Sequence, residues 1–286
     1  MELVGENGKD DGFLEGLPST TRKYQYEGSD ALGEVVRKEH RILDEYQTRE
    51  KSQFVIFLNV YPSIFDQDIT QQRFVRVDSY YRQQKALVVK MNTTPHEAAH
   101  SELFLLMNFQ LERMSDAHQC LVMVGQAIVH TPSRSKKPDQ SLKPLHPPSG
   151  RSTKWPSFVI ESGLSESKSK LAADARWWLN ESSGDVKTAL TISVHRTKPE
   201  LVIQNWRLEP RPTRADPQKF IPMVEQDIRI KKTQEGEVCV QNGPLIIPFE
   251  NVFLRPPTAQ EQEQDFLFTD QSIESLGRKV WTLQGF

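Results

Sequence analysis

WPSFVIESGLSESKSKLAADARWWL, residues 155–179, decides the fold. Its apolar run reads as a buried strand, yet Glu161 closes it, and serines, a glycine and a helical pattern follow at once. Strand alternation puts Ser157, Val159 and Glu161 on one face and Phe158 and Ile160 on the other. The helix starts near Ser165 or Ser167, because Leu171, Ala175, Trp178 and Leu179 form one apolar stripe at helical spacing. Gly184 ends it. An ionised carboxylate at the end of a buried strand costs several kcal/mol of desolvation unless it is paired, protonated or bound to a metal. Glu161 is therefore the first candidate for chemistry.

Working outward, VKTALTISV (186–194) alternates like a strand, and LVIQNW (201–206) follows the turn Thr197-Lys198-Pro199 as its hairpin partner. Upstream, FVIFLNVY (54–61) reads as a strand, and residues 73–91 read as two strands joined near Arg82 to Lys85. A helix then opens with Thr94 as N-cap, Pro95 in its first turn and Glu97 completing a capping box, with Leu103, Met107, Leu111 and Met114 on its core face. CLVMVGQAIVH (120–130) predicts one strand bent at Gly125, and residues 131–154, rich in Pro, Ser and Lys, predict a long loop. Residues 210–243 are weakly patterned, and PLIIPFENVFL (244–254) suggests an edge strand. This order predicts an α/β fold with a mixed sheet flanked by helices. The expected organisation is a disordered arm over 1–30, a helical extension over 31–53, the core over 54–254 and a polar tail over 255–286.

Composition sets outer bounds. Thirty-six Lys and Arg against 38 Asp and Glu give no global attraction for nucleic acid or anionic membrane, so such binding needs a local basic patch. Two cysteines are too few for a disulfide framework or a thiolate zinc cluster. The acidic, glycine-interrupted start does not read as a signal peptide, and no segment reaches the ~20 apolar residues that span a bilayer. The expectation is a soluble intracellular protein, cytoplasmic or nuclear, without a membrane partner.

Asp139, in KKPDQSLKP (136–144), is the second acid. A loop aspartate and a strand-end glutamate brought together by neighbouring strands supply oxygen ligands of the kind Mg²⁺ prefers, and such an ion helps cleave a phosphodiester. The Pro138-Asp139 pair, the loop after it and WPSFVIESG (155–163), with a helix and hairpin behind, resemble the central part of the PD-(D/E)XK, or restriction-endonuclease-like, superfamily. The run from about Arg73 to Trp206, roughly half the chain, resembles more closely a group of fungal proteins whose core looks like that nuclease fold. The resemblance implies Asp139 and Glu161 as ligands of Mg²⁺ or Mn²⁺, and an acid from the preceding helix, Glu97 or Glu102, beside the ion. The family lysine falls two residues after the glutamate, where this chain has Gly163. Lys168 or Lys170 on the next helix is the expected substitute, although Lys170 also stands four residues from Asp174, the spacing of a surface ion pair. Without such a lysine the resemblance implies a degenerate nuclease that binds DNA, RNA or protein without hydrolysis, with its charged termini docking protein partners.

The 130–154 stretch carries Arg134, Lys136, Lys137, Lys143, Arg151 and Lys154 against one acid, Asp139, as expected of a loop that follows a phosphate backbone. Trp177 and Trp178 fit base stacking, but Trp178 lies on the apolar stripe and reads as core. His96-Glu97-Ala98-Ala99-His100 matches the H-E-x-x-H zinc-protease pattern. Its start in a first helical turn weakens that reading, and His118 and Glu112, available as a third ligand, lie in no recognisable arrangement; His96 and His100 share the face of Leu103 and Met107 and read as histidines packed at the core edge.

Overall fold

The computed structural model describes residues 14–45, 51–72 and 74–286. In chain order, β1 (Arg22–Gln25), α1 (Ser29–Glu45), β2 (Phe54–Leu58), α2 (Pro62–Gln67), β3 (Val77–Tyr81) and β4 (Ala86–Lys90) precede the long helix α3 (Thr94–Glu112). Next, β5 (Leu121–Met123), β6 (Val129–His130), β7 (Arg134–Lys136), β8 (Gln140–Pro144) and β9 (Phe158–Leu164) lead into α4 (Lys168–Glu181). The chain closes with β10 (Thr188–Val194), β11 (Glu200–Pro210), β12 (Phe220–Lys232), β13 (Val238–Gln241), β14 (Leu245–Ile247), α5 (Phe249–Phe253), β15 (Phe266–Phe268) and α6 (Asp270–Gln284).

A seven-stranded sheet runs β13-β12-β11-β10-β9-β8-β5. Only β9 and β10 are parallel in it, because α4 carries the chain back between them. A six-stranded sheet runs β1-β2-β4-β3-β7-β6, and β14 pairs with β15 in a small ribbon. The fold is mixed α/β with helices against its sheets. The quoted stretch lies at its centre: every residue of β9 is buried. Ile160 joins the cluster of Leu103 and Met107 from α3, whereas Val159 joins Ala175, Trp178 and Leu179 from α4. Helices thus cover both faces of β9, and the alternation read from sequence sorts its side chains between them.

Several expectations change. The 131–154 loop contains β7 and β8, in different sheets, and the single 120–130 strand is β5 and β6, split by a turn in which Gly125 takes φ +53°. Residues 210–243 hold the β12–β13 hairpin. Helix α3 has Thr93, not Thr94, at its N-cap, without a side-chain bond, and Glu97 accepts instead from the Asn92 side chain. The 255–286 tail contains α6, capped by Thr269, with Ile273, Leu276, Val280 and Trp281 buried. Within the expected N-terminal arm, residues 22–25 pair with β2, and Leu14 and Leu17 pack on the core. Residues 1–13 of that arm and residues 46–50 of the helical extension lie outside the described residues. No helix among the described residues is long and apolar enough to cross a membrane.

Candidate functional site

Glu161 ends in a buried charge cluster. Its Oε1 accepts from Trp178 Nε1 at 2.7 Å and lies 3.1 Å from Lys136 Nζ. Lys136, from β7, also reaches Asp78 at 3.2 Å and Asp174 at 2.9 Å. Lys170, from the first turn of α4, holds Asp78 at 2.9 Å and Asp174 at 2.5 Å. Arg134 donates to Asp174 at 2.5 Å and to Ser79, its guanidinium stacked between the Tyr81 and Trp177 rings. Three carboxylates therefore face three cations, all buried.

The electrostatics are asymmetric. Burial pushes the Asp78 carboxyl up, but Lys136, Lys170 and Arg134 outweigh it and hold it well below the usual carboxylate range. For Asp174 burial is likewise overcome, by Lys136 and Lys170, and its pKa is lowered. Glu161 differs: burial raises its pKa and Lys136 offsets only part of that. Burial lowers the Lys170 ammonium in spite of Asp174 and Asp78.

Asp139 belongs to a second cluster. Its Oδ2 accepts from the Ser162 amide at 2.7 Å, Ser162 Oγ at 3.1 Å and Lys90 Nζ at 2.8 Å, and Oδ1 takes the Arg76 guanidinium. Lys90 also donates to the Ser162 carbonyl at 2.6 Å. His96 Nε2 stands 3.4 Å from the same carboxylate. Consecutive strand residues point to opposite faces, so Glu161 turns toward α4 and Ser162, with Asp139 bound to it, toward α3. Asp139 gathers with His96 and His100, while Glu161 gathers with Asp78 and Asp174, each set offering ligand atoms within 4.8 Å of one another. The two acids expected to share one ion thus stand in separate groups.

The other candidates fall as follows. Lys170 is inside the Glu161 cluster, so its pair with Asp174 is buried and not on the surface, and Lys168 is exposed. Glu97 lies at the Asp139 side, 3.2 Å from His100 Nε2, and Glu102 is bound to Lys279 at 2.6 Å. Arg134 and Lys136 point into the interior and do not face solvent as a loop would have placed them. Lys143 donates to the Thr153 carbonyl and Arg151 to those of Trp155 and Asp185, so both pin the chain. Lys154 is exposed, over the Trp155 ring. Gly163, at the family lysine's place, is tightly packed: a Cβ there would meet Gln53 Nε2 at 3.1 Å.

Asp78, Asp174, Lys90 and Arg76 join the two clusters without a motif that marks them in the sequence. The signal for Lys90 and Asp78 was a charge inside an apolar strand run, the same that drew attention to Glu161. Arg76 and Lys90 line a cleft of about 450 Å³ with Lys137, His40 and Glu97. Arg76 Nε and Nη1 are buried there without an acceptor among the described residues. Burial, and after it the charge of Arg76, lowers the Lys137 ammonium. Arg76 and Lys90 are held by Asp139 and Glu97 is an acid of the lining, so Lys137 is the cation of the cleft without an ion-pair partner among the described residues.

Neither a protein family nor a curated protein matches the chain. Among solved structures it is similar to a protein from Anabaena variabilis described as a "putative nuclease belonging to DUF820", at 14% identity and a TM-score of 0.40, over 70% of this chain and 90% of that one.

Burial lowers the His96 imidazole from 6.5 to about 4, with Lys90 adding to the effect and Asp139 opposing it. The unfolded chain takes up this proton near pH 6.5 and the folded one only near 4. Stability from this group is complete above pH 6.5 and is lost as pH falls toward 4, by about 3 kcal/mol. Urea unfolding of chelator-treated protein across that range should show the slope, and His96→Gln should flatten it.

Proposed function

We propose that this chain is a nuclease-like protein that binds the phosphodiester backbone of DNA or RNA in the Arg76–Lys90–Lys137 cleft and does not hydrolyse it. The observation that carries this reading is Lys137, half-buried in the cleft beside Arg76 and Lys90 and without an ion-pair partner among the described residues. A phosphate supplies both the charge and the acceptor oxygens such a cleft lacks, and a guanidinium suits its geometry. Binding should weaken steeply with salt, because each neutralised phosphate releases counterions. Lys137→Ala should weaken binding across sequences and lower the salt slope by about one, while changing stability by less than about 0.5 kcal/mol. Fluorescence anisotropy with labelled oligonucleotides over a salt series measures both. A salt-independent affinity, or one unmoved by Lys137→Ala, would refute the assignment.

Hydrolysis assisted by Mg²⁺ or Mn²⁺ is the competing reading, favoured by the carboxylates of Asp78, Glu161 and Asp174 gathered within 4.8 Å. Mg²⁺ demands an octahedron of oxygens and gives up water reluctantly. Here Lys136, Lys170 and Arg134 already occupy those carboxylates, so the ion does not fit while they stay. Their ammonium and guanidinium groups balance the charge that a metal would otherwise neutralise.

A further inference from the structure

His96 and His100 stand one turn apart on α3, each 1% exposed. Both ring nitrogens of His96 and Nδ1 of His100 lack a hydrogen-bond partner among the described residues. His96 Nε2 faces the Asp139 carboxylate at 3.4 Å; a buried polar group left unsatisfied costs about 1–3 kcal/mol, so the Nδ1 atoms of His96 and His100 beside that pair point to a missing ligand. One nitrogen from each histidine and one oxygen of Asp139 lie within 4.8 Å of one another. Tetrahedral zinc, with bonds of about 2.0–2.2 Å, sets its ligand atoms roughly 3.3–3.5 Å apart. The set needs only a contraction of about an ångström, within the reach of side-chain rotation.

We infer that His96, His100 and Asp139 bind one divalent transition-metal ion of the zinc class. Imidazole with carboxylate is a donor set that zinc accepts. Glu97 flanks the pair, its oxygens 3.6 Å from His96 Nδ1 and 3.2 Å from His100 Nε2. It either completes the tetrahedron or orients the rings from outside it. Lys90 shares Asp139 Oδ2 and already holds the Ser162 carbonyl at 2.6 Å. It can therefore yield its place on Oδ2 to the ion and keep a partner, while Arg76 stays on Oδ1 and the Ser162 amide on Oδ2. The site is structural and not proteolytic: both histidines are buried, and the adjoining cleft is lined by Glu97 but by neither ring. A catalytic zinc needs an open position for substrate. The site shares Asp139 with Arg76 and Lys90 of the cleft, so metal binding is measured on the chain without nucleic acid.

The test strips the full chain with a chelator and titrates it with Zn²⁺ by calorimetry and with Co²⁺ by visible absorption. The expected result is one ion per chain and the d–d bands of a tetrahedral nitrogen and oxygen site. His96→Asn and His100→Asn should each weaken binding at least tenfold, and His118→Asn, on an exposed histidine, should leave it unchanged. Absence of stoichiometric binding by the folded natural chain would overturn the inference, and that arm requires no variant. So would a strong near-ultraviolet thiolate band, which places the ion at Cys120 or Cys239, or binding that survives either α3 substitution.

Discussion

Lys136→Met should cost about 3–5 kcal/mol of stability, because removing one partner of a buried ion network leaves its opposite charges uncompensated. Lys136 is completely buried and its ammonium alone touches all three carboxylates of the cluster, Asp78, Glu161 and Asp174. Burial works against its charge, but those acids more than compensate and raise its pKa. With methionine in its place, Asp78 and Asp174 keep Lys170 and Arg134, and Glu161 loses its ion-pair partner. Burial already raises the Glu161 pKa, so protonation relieves Glu161 and the loss falls on the two aspartates. Urea unfolding followed by tryptophan fluorescence measures the loss, with Trp178 reporting from the same cluster. A change below about 1 kcal/mol would mean that water or rearrangement replaces the ammonium.

The second large effect is a contrast between the two acids first read from sequence. Asp139→Asn should destabilise by about 3 kcal/mol, since it removes the charge that holds buried Lys90 and the Arg76 guanidinium. Burial raises the Asp139 carboxyl, but Lys90, His96 and Arg76 outweigh it and hold it well below the usual range. The neutral side chain therefore forfeits a net favourable interaction. Glu161→Gln should change stability by less than about 1 kcal/mol, because its pKa is already raised by burial. A glutamine oxygen can still accept from Trp178, while Lys136 keeps Asp78 and Asp174. Equal losses in both variants would show that the two carboxylates are held alike, against the asymmetry described.

Much of this arrangement was legible in the sequence. The strand, helix and hairpin from residue 156 onward announce themselves by alternation and by the stripe Leu171, Ala175, Trp178 and Leu179, because burial on a defined face leaves a period. Glu161, read as closing the strand, stands in the middle of β9, which runs on through Ser162, Gly163 and Leu164; the charge in an apolar run still signalled burial. Its partners stayed hidden, since Lys136 and Asp78 come from strands of the other sheet, and no local spacing encodes a contact between sheets. Strands β7 and β8 were hidden by prolines and lysines: their charged residues read as solvated, yet Arg134 and Lys136 are buried because acids from β3 and α4 meet them. The tail helix had an apolar period at Ile273, Leu276, Val280 and Trp281, and its acidic, glutamine-rich lead-in masked it. The Lys170–Asp174 pair shows the limit most clearly: four-residue spacing is the same on a surface and in a core.

The most direct test is incubation of labelled DNA and RNA with the full chain in Mg²⁺ and in Mn²⁺, read on a denaturing gel. With side-chain cations seated on the acids, the strands should be bound but remain intact in either metal. Metal-dependent cleavage by the natural chain that disappears in Glu161→Gln would contradict the account, because Glu161 would then be a ligand of a working metal centre.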